Sequence, residues 1–255
     1  MSKPLILIVN DDGYEAKGLY ALVEAAKDFG EIVVVVPDSV RSGMGHAITM
    51  NEPLRVKLYK EEDGVKYYRT NGTPVDCVKL GQKVVLRGRK IDLVLSGINH
   101  GSNSSVSPIY SGTMAAAIEG SFEGSRAVGF SLLDYSSDAD FTASTYYAKK
   151  MIPQLLKMTF PPYISLNINI PKGNIEDIKG IKITRQTKGY WEEDLEERVD
   201  CFGRPYYWLS GYLVDQDGKE DSCQWALTHN YISIQPVQVD LTAYQYMDNF
   251  KFLEE

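Results

Sequence analysis

Two unbroken apolar runs, Leu5-Ile6-Leu7-Ile8-Val9 and Ile32-Val33-Val34-Val35-Val36, bracket Leu19, Leu22, Val23 and Ala26, which recur at helical spacing. A strand with no polar break has no solvent-facing side, so both runs must be covered on both faces. Gly30 stands where the helix should stop, and Pro37 closes the second run. Strand, helix, strand in this compass is a βαβ unit, which commits the chain to an α/β fold with a mostly parallel sheet.

The rest of the chain is read against that unit. Ile91-Asp92-Leu93-Val94-Leu95 supplies a third buried strand, and residues 113–119 (TMAAAIE) a helix of small residues able to pack closely. Residues 163–170 alternate strictly, as a half-exposed strand would, and residues 231–239 read as a late strand. Residues 186–225 are crowded with Tyr, Trp, Glu and Asp, and their densest charge run, WEEDLEER, reads as a solvated face. A net charge of −7 over 255 residues argues against a general nucleic-acid-binding surface. Cys77, Cys201 and Cys223 are odd in number and follow no metal-ligand spacing, so free thiols in a reducing compartment are expected. No signal segment opens the chain, and no apolar run reaches the ~18 residues a membrane span needs. A cytoplasmic protein with no membrane contact is the expectation.

The first strand ends in Asn10-Asp11-Asp12-Gly13. Adjacent like charges repel, and a buried strand end suits neither. One aspartate could cap the next helix, but two in a row cannot both do so. Ligands in open α/β sheets bind beyond the carboxyl ends of the strands. The second strand opens there into PDSVRSGMGHAIT and the third into SGINHGSN, while IYSGTMAAAIEG begins a helix at Ser111-Gly112-Thr113. Singly, Ser42, Ser111 and Asn99 are turn or cap residues, and His46 is a hydrogen-bonded loop residue, lacking a second His or Cys spaced to help it. Together the carboxylate, hydroxyl and amide oxygens suit Mg²⁺ or Mn²⁺, and the helix start offers an anion cradle. Cation plus anion cradle means phosphate chemistry.

These segments resemble the SurE (survival protein E) family of metal-dependent nucleotidases. The likeness runs through NDDGYEAKG, PDSVRSG, NGTPVDCV, DLVLSGINHGSN, YSGTMAAAIEG, LNINIP and YISIQPVQVDLTAY, in order, from about residue 5 to about residue 245. The resemblance implies a Rossmann-like three-layer α/β/α core, here residues 1–185, and a β-rich C-terminal extension, residues 186–255, exchanged between subunits of a homodimer or homotetramer. It implies one Mg²⁺ or Mn²⁺ per subunit on Asp11, Asp12, Ser42 and Asn99. Phosphate would meet Ser42, Gly43, Asn99, Ser111, Gly112 and Thr113, with Asp11, Asp12 and Asn99 catalytic. The implied reaction is hydrolysis of nucleoside monophosphates, as in a 5'-nucleotidase. The chain departs from the family in having Tyr244 where several members end D-L-T-A with His, and Asn230, preceded by His229, where Gly is common.

Two rivals fail on chemistry. A haloacid-dehalogenase-type D-x-D-G-T laid on this turn puts Asn10 at the nucleophile, and an asparagine cannot form an aspartyl phosphate. A receiver-like signalling module needs a phosphoacceptor Asp at the end of a later strand, where LVLSGIN offers Ser96 and Asn99.

Overall fold

The computed structural model describes residues 3–254 and begins with the expected crossover. Strands β1 (Leu5–Val9) and β2 (Glu31–Pro37) are parallel, Ile6 opposite Ile32 and Ile8 opposite Val34, joined by helix α1 (Lys17–Ala26). All of β1 is buried, and α1 turns Leu19, Leu22, Val23 and Ala26 inward, as their spacing predicts. The chain continues through β3 (Val56–Glu62), β4 (Val65–Thr70), α2 (Pro74–Leu80), β5 (Leu93–His100), α3 (Gly112–Phe122), β6 (Arg126–Leu133) and α4 (Thr142–Leu155). It ends with β7 (Ile164–Pro171), β8 (Gly180–Ile183), β9 (Gly189–Val199), β10 (Pro205–Asp215), α5 (Cys223–Thr228) and β11 (Tyr231–Gln238).

Nine strands form one sheet in the order β3-β4-β2-β1-β5-β6-β7-β11-β8. From β4 to β7 every neighbour is parallel, whereas β3 and β11 run antiparallel to β4 and β7. Alternate β1 residues feed two cores. Ile6 and Ile8 meet Leu22 of α1 and Ile152 of α4, while Leu7 and Val9 meet Val78 of α2 and Met114 of α3. Helices on both faces make the fold a three-layer α/β/α sandwich. A Cβ on Gly18 would fall 2.0 Å from the Ile98 carbonyl oxygen, so α1 rests directly on the β5 backbone.

Two sequence expectations need correction. The third strand does not stop at Leu95 but runs to His100, which makes Asn99 a strand residue paired with Ser131. β7 is not half-exposed: Ser165, Asn167 and Asn169 are fully buried, because β11 covers its free edge and residues 101–107 pack over its polar face. WEEDLEER faces solvent, as its charge run predicts, but on a ribbon and not on the sheet. β9 and β10 form a separate antiparallel ribbon, Val199 opposite Pro205 and Gly189 opposite Asp215, and WEEDLEER is the middle of β9. After α5 the chain re-enters the main sheet as β11, then leaves it for an exposed 3₁₀ tail, Tyr244–Leu253. Cys77 and Cys223 are buried and Cys201 is exposed, all three as free thiols. Among the described residues no helix is long and apolar enough to cross a membrane.

Candidate active site

Past Val9 the chain turns sharply. Gly13 holds φ at +90°, which favours glycine, and the Asn10 side-chain amide donates to its carbonyl at 2.8 Å. This turn aims Asp11 and Asp12 over the sheet edge. Asp11 is 3% exposed, and the Thr113 hydroxyl donates to its Oδ1 at 2.5 Å. Burial first, and the charge of Asp12 second, push the Asp11 carboxyl up to about 7 against the pull of Thr113. Burial also raises Asp12, opposed by the His100 backbone N–H that donates to its Oδ2 at 3.4 Å. Among the described residues neither carboxylate takes part in a salt bridge.

The other elements close on this pair. The Arg41 backbone N–H donates to the Asp11 carbonyl at 2.7 Å, and that of Gly45 to the Tyr110 carbonyl at 2.9 Å. Ser42 and Gly43 are therefore pinned between the acidic turn and the start of α3. His46, in the same loop, is the hydrogen-bonded residue its isolation predicts: its Nε2 lies 3.0 Å from Glu119 Oε2, and Lys79 pairs with the other oxygen. The Ser111 hydroxyl caps α3 by accepting from the Met114 N–H at 3.0 Å. A Cβ on Gly112 would lie 2.7 Å from that of Asp11, so only glycine lets the helix start approach so closely. The Asn99 side-chain amide donates to the His100 and Gly101 carbonyls at 3.1 and 2.8 Å, which turns its oxygen loose for a ligand.

Asp11, Ser42, Gly43, Asn99 and Ser111 thus line one cleft of about 520 Å³. Asp12 and Gly112 sit beside it, off the lining. Thr113 is fully buried with its hydroxyl committed to Asp11, which leaves its backbone N–H, at the start of α3, as its donor for an anion. Several residues that line the cleft escaped sequence reasoning. Asn103 lines the cleft, its N–H donating to Asn169 Oδ1 at 2.7 Å and its side chain to the Ser131 hydroxyl at 2.9 Å. Tyr135 and, from the ribbon, Trp191, Glu193 and Leu209 supply the facing wall. One signal could have found the ribbon: Gly203, at φ +77°, between two alternating runs is a hairpin turn mark.

Among the described residues no three His, Cys, Asp or Glu side chains converge as a metal centre would. The donor set is of another kind, two carboxylates with a hydroxyl and an amide oxygen. A buried and a half-buried carboxylate side by side, neither in an ion pair, fit a hard divalent cation, and the donors are the oxygens such an ion takes.

Fold and cleft define an open α/β protein with a ligand site beyond the carboxyl ends of parallel strands. The model of the family described as Survival protein SurE matches residues 6–193, and the chain belongs to that family. It is 48% identical to the 5'-nucleotidase SurE of Cytophaga hutchinsonii, with all of both chains covered. It is 51% identical to that of Flavobacterium psychrophilum over 96% of this chain and 95% of the relative. The solved structure of the SurE protein from Aquifex aeolicus superposes with a TM-score of 0.85 at 39% identity, over 99% of this chain and 100% of that one.

Proposed function

We propose that the protein is a divalent-metal-dependent 5'-nucleotidase, hydrolysing nucleoside monophosphates to nucleoside and phosphate. The observation that carries this is a buried Asp11 carboxylate lining a cleft that also receives a helix N-terminus, with the half-buried Asp12 carboxylate beside it. Its relatives named 5'-nucleotidase SurE, similar over their whole length, support the same reading.

In this reading Asp11, Asp12, Ser42 and Asn99 hold one Mg²⁺ or Mn²⁺ per subunit. The cation, when bound, supplies Lewis-acid polarisation of a phosphoryl oxygen and a lowered pKa for water. The chain does the remainder. Thr113 fixes the rotamer of Asp11, so the carboxylate need not reorganise during turnover. The free N–H groups at Gly112 and Thr113 and the positive end of α3 face the charge that grows on the equatorial oxygens. Ser42, Gly43 and Ser111 would flank the phosphate, and the Asn99 amide oxygen, its N–H groups held by the His100 and Gly101 carbonyls, would face the cation. Residues 1–185 would form the catalytic core. The aromatic ribbon and tail within residues 186–255 would join subunits into a homodimer or homotetramer. Three free thiols accord with a cytoplasmic setting.

Phosphate release from a panel of nucleoside monophosphates, with and without each divalent metal, tests the proposal. Release from several members with Mn²⁺ or Mg²⁺, and none under excess chelator, is the expected result. Full turnover of chelated protein, or none with any metal, would overturn it.

A further inference from the structure

The cleft does not end at Asn99. A second cavity of about 430 Å³ continues it, and Ser102, Ser107, Tyr135, Trp191 and Gly211 border both. Beyond that junction the walls carry Leu133 of β6, Tyr212 and Leu213 of β10, and Gln224 of α5. Two joined chambers of this size suit a ligand longer than a phosphate alone.

The junction itself is aromatic. A Cβ on Gly101 would fall 2.1 Å from Tyr135 Cε1, so the ring lies flat against a backbone that only glycine leaves open, at φ +89°. Tyr135 is nonetheless 67% exposed and lines the cleft. Trp191 is half-buried at the base of the ribbon, opposite Leu213. Among the described residues neither ring stacks on another aromatic side chain. Two residues along β9, Glu193 adds a carboxylate to the ribbon wall, which suits that wall poorly for phosphate. A phosphate would therefore lie towards Ser111, with the rest of a nucleotide pointing to the rings.

We propose that Trp191 and Tyr135 form a stacking platform for the nucleobase, so that this aromatic junction, not the acidic turn, makes a nucleotide a better substrate than a small phosphate ester. This rests on the nucleotidase reading. Stacking needs only a π-face, so the platform recognises bases as a class, and it is worth about 10- to 100-fold in affinity.

The test is steady-state kinetics of the full-length, metal-loaded protein on AMP and on glycerol 2-phosphate, which has no ring. Trp191→Ala should raise KM for AMP by about 10- to 100-fold, with kcat/KM for glycerol 2-phosphate kept within about 3-fold. Trp191→Phe should restore most of the AMP affinity. Tyr135→Ala, at an exposed position, should shift KM in the same sense and serves if Trp191→Ala fails to fold. Equal losses on both substrates, or an unchanged KM for AMP, would overturn the platform. If wild type cleaves neither substrate, the nucleotidase reading falls. The platform is then decided by adenosine binding, which it requires to be weakened in Trp191→Ala and which, if unchanged, overturns it.

Discussion

On the sheet side of the cleft, Asp11, Thr113, Asn103 and Asn169 are buried, and each is held by a named hydrogen bond from a neighbouring element. On the opposite side the β9–β10 ribbon stands in solvent, with Tyr207, Trp208 and Leu209 all more than half exposed. One wall is fixed by burial, and its polar groups have a single arrangement available to them. The other is a lone two-stranded ribbon, a form marginal in water without a further surface to cover it. The difference separates two tasks. The rigid wall suits chemistry, where small displacements cost large factors in rate. The ribbon wall suits contact with the variable part of a substrate and with other subunits.

The sharpest way to break this division is to neutralise the rigid wall. Asp12→Asn, and separately Asp11→Asn, should lower phosphate release by at least ~10²-fold while the protein stays folded, as loss of a fixed electrostatic group does. Near-normal turnover in both variants, measured with saturating Mn²⁺, would move the chemistry elsewhere.

The same wall should show its strain in stability. The folded pKa of Asp11 lies above its ordinary value of 3.8, at about 7, chiefly because the group is buried. A raised carboxyl stabilises the fold below its unfolded pKa, and that contribution is lost as pH rises through the folded value. Metal-free protein should therefore melt at a falling temperature between pH 5 and pH 8. At about 1.36 kcal/mol per pKa unit, the loss from this group is bounded by about 4 kcal/mol. Asp11→Asn should flatten that slope, and a variant as pH-sensitive as wild type in thermal melts would refute the assignment.

For the ribbon side, the expected effect is on assembly. The tail leaves Leu241, Tyr244, Tyr246, Phe250 and Phe252 exposed, more apolar surface than a free segment ordinarily carries. Deleting residues 240–255 should reduce the oligomeric state seen by light scattering, and a monomeric intact chain would contradict it. The smallest effect belongs to Tyr244. Its hydroxyl donates to Asp240 within the same tail, so it is engaged locally. Tyr244→Phe should change turnover by less than ~10-fold, the scale of one lost hydrogen bond. A collapse with metal affinity intact would give that hydroxyl a catalytic task.

The two walls were unequally legible in the sequence. Leu5–Val9 and residues 32–36 announce themselves because both faces of each strand are covered, leaving no polar break. Asp11 and Asp12 stand out because nothing structural requires two adjacent carboxylates. The end of β5 was hidden, since Ser96-Gly97-Ile98-Asn99 reads locally as a loop and only pairing with β6 extends the strand. β7 misled for a related reason: Ser165, Asn167 and Asn169 look solvent-facing, but tertiary hydrogen bonds satisfy Asn167 and Asn169 in the interior. The start of α3 is visible in sequence, whereas the inward rotation that commits the Thr113 hydroxyl to Asp11 is not. The ribbon was least legible, its many acids masking the alternation that brings Trp191 to the cleft.

The central claim is that the carboxylate pair exists for a cation. Calorimetric titration of Mn²⁺ into the metal-free full-length protein tests it most directly. One bound ion per chain in wild type, weakened at least ~10-fold in Asp12→Asn with the melting transition preserved, is the result expected from an all-oxygen site. Identical Mn²⁺ binding in wild type and Asp12→Asn, or no binding in either, would contradict it.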